Sequence, residues 1–121
     1  MATLLIDAEK YVSNLLNNKL ATNYVYHNLV HTQGVVKSIE KFIEKLAIPE
    51  IDAENLQVAA WFHDTGFIKG AENHEEESVK ILTLFLTKKN AEVKRIETIS
   101  NLILATKIGH EATNDLEKII T

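Results

Sequence analysis

Apolar residues recur three and four positions apart along most of the chain, and that spacing predicts helices rather than strands. Five segments carry the pattern, at about residues 3–18, 27–47, 53–64, 73–88 and 91–108, with ends fixed to within about 2 to 4 residues. The breaks between them have their own chemistry. Pro49 cannot continue the second helix, Asp52 is placed to cap the third, and Gly66 and Gly70 let the chain turn. Asn90 is placed to cap the fifth helix and Gly109 to end it. The closing stretch "NDLEKIIT" opens a further amphipathic pattern with Leu116, Ile119 and Ile120. The expected fold is all-α, one helical bundle of about five to six helices spanning residues 1–121 as a single domain.

The faces of these helices draw histidines toward the core. In the second helix His27, His31, Val35, Ile39 and Ile43 form a row at a spacing of four, flanked by Val36, Phe42 and Leu46. The third, "LQVAAWFHD", is apolar nearly all round and so is expected to be the central buried helix, ending in His63 and Asp64. The fourth aligns His74, Ser78, Leu82 and Phe85 or Leu86, and the fifth aligns Ile96, Ile99 and Ile103 before His110. Four segments thus place a histidine on or beside an inward side.

Composition narrows the chemistry. The chain has 121 residues, one proline, four glycines and a formal net charge of -4. That balance disfavours binding to a nucleic-acid polymer, which relies on clustered Lys and Arg, but leaves room for a small phosphorylated ligand. Without cysteine there is no disulfide framework and no thiolate site, so a metal would be held by His and carboxylate in a cytoplasmic setting. No segment approaches a membrane span. There is also no Gly-rich phosphate loop, no G-x-S-x-G elbow and no H-E-x-x-H zinc helix.

His27 and His31, one turn apart, can share a metal, or one can bind it while the other serves its ligand; two hydrogen-bonded core histidines would give the same spacing. The pair His63 and Asp64 says more. At a helix end, consecutive residues can converge on one ion, and a buried Asp is costly without a cation or several donors. The competing reading has Asp64 capping the turn in "DTG" and His63 packing beside Trp61. His74, Glu75, Glu76 and Glu77 offer ligands or a proton-transfer group, but acids are common in a solvated first helical turn. His110 suits a helix C-terminus as well as a site, and Lys69 and Lys107 suit solvent as well as phosphate.

Taken together, "YHNLVHT", "AAWFHDTGF", "HEEESV" and "ILATKIGHEATNDLEKII" resemble the bacterial HD-domain metal-dependent phosphohydrolases over almost the whole chain. The family pattern is a His on one helix, an adjacent His-Asp on a later one and a final Asp, enclosing a metal within an all-helical bundle. The resemblance implies His31, His63 and Asp64 as metal ligands. "YHN" is similar to the start of a motif in cyclic-nucleotide phosphodiesterases, which implies His27 as a proton donor to the leaving oxygen. Asp64 and Glu75 join it as expected catalytic groups, and His74, His110, Lys69 and Lys107 as contacts to a second metal or to phosphate.

The departure is the final Asp. In the family it follows a segment like "LEKII", and Asp115 comes too early to match, so the fourth ligand is expected beyond Thr121. The cofactor implied is a divalent ion, Mn, Mg, Fe, Co, Ni or Zn, which would polarise a phosphoryl oxygen and activate water for in-line attack. The expected activity is hydrolysis of a phosphate ester or anhydride, with a nucleotide as the substrate and a homodimer left open. The alternative is a non-catalytic HD module that senses a nucleotide or regulates a larger protein. Di-iron oxygenase chemistry, which needs more histidines, ranks last.

Overall fold

The computed structural model describes residues 2–19, 29–70, 72–107 and 120. Helix α1 spans Ala2–Lys19, α2 Leu29–Leu46, α3 Glu50–Phe62, α4 His74–Lys88 and α5 Val93–Leu104, with a 3-10 helix at Thr65–Lys69 between α3 and α4. No strand occurs among the described residues, and the all-α expectation holds.

Helix α3 is the axis of the bundle, packed against α1, α2, α4 and α5. Its sequence explains this, since Leu56, Val58, Ala59, Ala60, Trp61 and Phe62 are all buried and Gln57 is the one polar side chain among them. Helix α1 meets it with Ala8, Val12 and Leu16, a row at a spacing of four. From α4 come Leu82, Phe85 and Leu86, and from α5 Ile99, Leu102 and Ile103. Tyr11, Phe62 and Phe85 join three helices in one aromatic cluster, with ring centroids 5.1 to 5.9 Å apart.

Several local expectations are corrected. Helix α3 starts at Glu50, with Pro49 as its N-cap residue, so Asp52 lies in the first turn and does not cap it. Proline is favoured where a helix begins because its missing N–H would have no partner there. Asn90 adopts the left-handed conformation, φ 60°, and closes the end of α4, its N–H bonding to the Thr87 carbonyl; Glu92 precedes α5 instead. Helix α5 ends at Leu104, and Gly109 lies outside the described residues. The buried face of α2 is carried by Thr32, Val36 and Ile39, while Phe42 and Leu46 are exposed.

Candidate metal centre

The site sits where α3 stops. The helix ends at Phe62, and His63 and Asp64 form the turn that leads into the 3-10 helix. Thr65 donates its hydroxyl to the Phe62 carbonyl at 2.8 Å, and Phe67 N–H bonds to the Asp64 carbonyl at 3.1 Å. The Asp64 side chain makes no capping bond there. Its carboxylate, only 5% exposed, instead faces imidazoles from three elements.

His31 from α2 and His63 each bring Nε2 to 3.3 Å from the same oxygen, Asp64 Oδ2. Among the described residues His31, His63 and Asp64 form a group whose ligand atoms all lie within 4.8 Å of one another. His74, the first residue of α4, brings Nε2 to 3.6 Å from the other oxygen, Oδ1, and to 3.3 Å from Glu75 Oε2. The His74 ring lies over Phe67, with centroids 4.0 Å apart. Asp64 therefore has one oxygen turned to each side, and its neighbours arrive from α2, the α3 terminus and α4.

Hydrogen bonding decides what this arrangement accepts. His63 Nδ1 lies 2.6 Å from the Ala60 carbonyl, an acceptor only, so Nδ1 carries the proton. In the neutral ring Nε2 then presents a lone pair to the carboxylate, and two acceptors 3.3 Å apart require a cation between them. A proton satisfies that need, and so does a divalent ion; His with carboxylate is a donor set suited to borderline and hard metals. Burial disfavours the His63 imidazolium, but the hydrogen bond and Coulomb attraction to Asp64, with the Ala60 carbonyl, outweigh it and hold its pKa above the ordinary 6.5.

The remaining expected residues separate. Glu75, expected as a catalytic group, is buried, whereas Glu76 is half-exposed and accepts a hydrogen bond from Lys107 Nζ at 2.9 Å. The Lys107 hydrogen bond lowers the Glu76 pKa, and Glu76 raises that of Lys107. Lys69 is exposed at the end of the 3-10 helix. His27, His110 and Asp115 lie outside the described residues.

The supporting roles of two residues were missed from sequence, although Ser78 stood in the inward row of the fourth helix and Gly66 at a turn. Fully buried Ser78 accepts a hydrogen bond from Gly66 N–H at 2.8 Å and donates one to the His63 carbonyl at 2.9 Å. Gly66 makes the approach feasible, since a Cβ there would sit 1.9 Å from the His74 carbonyl oxygen. A lone serine in the apolar row of the fourth helix was the available signal.

A family model for the HD domain matches residues 28–121. The chain belongs to the HD-domain family. That family is one of metal-dependent phosphohydrolases whose domains bind divalent ions, and the His31, His63 and Asp64 cluster of this HD domain has the donor chemistry for such an ion. No curated protein and no solved structure gives a match. No helix among the described residues is long and apolar enough to cross a membrane.

Proposed function

We propose that this HD domain hydrolyses a phosphate ester or anhydride of a small molecule, a nucleotide being the preferred substrate, with His31, His63 and Asp64 as ligands of a divalent ion. One observation carries the reading: two imidazole nitrogens converge at 3.3 Å on one buried carboxylate oxygen, and the His63 tautomer turns a lone pair toward it. When bound, the ion supplies Lewis-acid polarisation of phosphate and activation of water. The protein does the rest. His63 is held in its ligating tautomer by the Ala60 carbonyl, a backbone partner that fixes ring orientation. Asp64 Oδ1 faces His74, so those two residues would hold a second divalent ion, which would supply further positive charge toward phosphate. Buried Glu75 beside His74 is placed to take and return a proton, and His27 is assigned the same task toward the leaving oxygen. Lys107 supplies positive charge toward phosphate at the α4 side, and His110 and Lys69 are weaker candidates for the same role.

The test is metal analysis of the purified chain, followed by a panel of nucleotides and simple phosphomonoesters with Mn, Mg, Co, Ni and Fe. Metal-dependent phosphate release that disappears in Asp64→Ala supports the reading. Metal uptake and nucleotide binding without turnover would instead favour a sensing module, and absence of both metal uptake and turnover would sink the enzyme reading.

A further inference from the structure

Three backbone segments meet behind the His and Asp cluster, and one side chain joins them. Ser78 lies one turn into α4 from His74, about 6 Å along the axis, and on the same inward side. Its hydroxyl is fully buried and used twice, as donor to the His63 carbonyl and as acceptor from Gly66 N–H. The carbonyl belongs to the residue just past α3, where helix geometry leaves oxygens without helical partners. The N–H belongs to the 3-10 helix that follows Asp64. The same hydroxyl thus bonds the backbone on both sides of Asp64.

Gly66 sets how near α4 can come. With the His74 carbonyl 1.9 Å from where a Cβ would stand and Ser78 N at 2.8 Å, only a residue without a side chain lets the first turn of α4 lie on the 3-10 helix. Phe67, the next residue, puts its ring against His74 at 4.0 Å. Backbone contact, ring contact and hydroxyl therefore all act on the same short distance, the one that brings His74 to Asp64 Oδ1.

We infer that Ser78 is a positioning residue: through His63 and Gly66 it fixes the turn bearing Asp64 against the start of α4, and so sets the spacing among His63, Asp64 and His74. Its effect on metal affinity rests on the metal-centre reading, whereas its effect on geometry does not. Serine suits the task because one small hydroxyl donates and accepts at once.

The test compares Ser78→Thr with Ser78→Val, which match in volume and differ in the hydroxyl, alongside Ser78→Ala. Manganese(II) alone is titrated into each full chain, and amide exchange at Gly66 and the Phe67 to His74 ring contact are followed by NMR without metal. The expected result is that Ser78→Val and Ser78→Ala bind Mn(II) about 10-fold or more weakly, the range for residues that orient ligands, while Ser78→Thr stays near the parent. Gly66 N–H exchanges faster and the ring contact loosens in the two variants without a hydroxyl. Equal Mn(II) affinity across the series, or a lower Tm with affinity and ring contact unchanged, would overturn the assignment and leave Ser78 a purely structural residue. If the parent takes up no Mn(II), the metal reading falls, and the Gly66 and ring measurements still decide the role of Ser78. Should the variants without a hydroxyl fail to fold, the parent decides it: a fast-exchanging Gly66 amide contradicts the proposal, and a strongly protected one supports it.

Discussion

Helix α3 has a buried carboxylate near each end, and the two are neutralised differently. Glu54, 5% exposed, pairs with Arg95 from α5, whose Nε also donates to Asn55 Oδ1 at 2.9 Å. A guanidinium keeps its charge throughout the pH range in which proteins fold, and it has no lone pair to offer a metal. Asp64, 3% exposed, lies just past the other end, among the imidazoles of His31, His63 and His74. An imidazole, unlike a guanidinium, has a ring nitrogen lone pair to offer, so a metal ion can take the place of a proton there. Burial of a carboxylate is common to both ends. The groups that face it distinguish a structural ion pair from a place where a cation can bind and leave.

Replacement of each carboxylate should separate the two roles. The largest effect is expected from Asp64→Asn, which keeps shape and removes charge. Mn(II) affinity should fall by more than about 100-fold, beyond the range for residues that merely orient ligands, as read by calorimetric titration. At a pH above the His63 titration, unfolding of the metal-free chain in urea should change by less than about 1 kcal/mol, because the facing imidazole is then neutral and no uncompensated charge is left buried. Glu54→Ala should do the reverse. It leaves Arg95 without its carboxylate, and because Arg95 keeps 24% of its side chain in water the cost should be about 2 kcal/mol, below the range for fully buried pairs. In a chain of this length that lowers Tm by about 6–10 °C while leaving Mn(II) affinity alone. If Glu54→Ala weakens metal binding as much as Asp64→Asn does, the contrast between the two ends is wrong.

The sequence carried the site's ingredients better than its framing. The four-residue spacing in the second and fourth helices placed His31 and Ser78 on inward rows because helical period alone decides which residues share a face. The all-round apolar third helix was legible as the central one for the same reason, and the adjacent His63 and Asp64 were legible as a pair. Their convergence at a helix end was read as an option, and it is realised because the backbone departs from helical dihedrals at Asp64, φ -108° and ψ 5°. Glu75 was named as a candidate, but its burial was not legible, since "HEEES" gives three acids in a row and periodicity cannot say which one will be covered. The joint role of Gly66 and Ser78 was illegible because it rests on a tertiary contact across 12 residues. Glu54 and Arg95, 41 residues apart, were hidden by the same circumstance.

The pH response sharpens the contrast further. In the metal-free chain the His63 pKa is raised, so its pairing with Asp64 adds stability that is fully present below about pH 6.5 and is lost as pH rises through the raised value. Mn(II) affinity should move the opposite way, growing over the same interval as the proton leaves. The pair of Glu54 with Arg95 should show no change there, so Asp64→Asn should flatten the Tm profile across that window and Glu54→Ala should only lower it.

The smallest effect concerns Lys107. Its bond to Glu76 is at the surface, where ion pairs contribute little, so Lys107→Met should leave Tm unchanged. Like any exposed lysine it is an ammonium near neutrality, and the Glu76 carboxylate raises its pKa further. If that charge meets the substrate phosphate, Lys107→Met raises KM severalfold with little change in kcat, and the defect shrinks as salt screens the parent's advantage. Glu76→Gln should have the opposite sign, lowering KM by releasing the ammonium from its carboxylate. Steady-state kinetics of both variants at low and high salt decide the matter, since a lysine serving only the surface pair would leave KM unchanged in each.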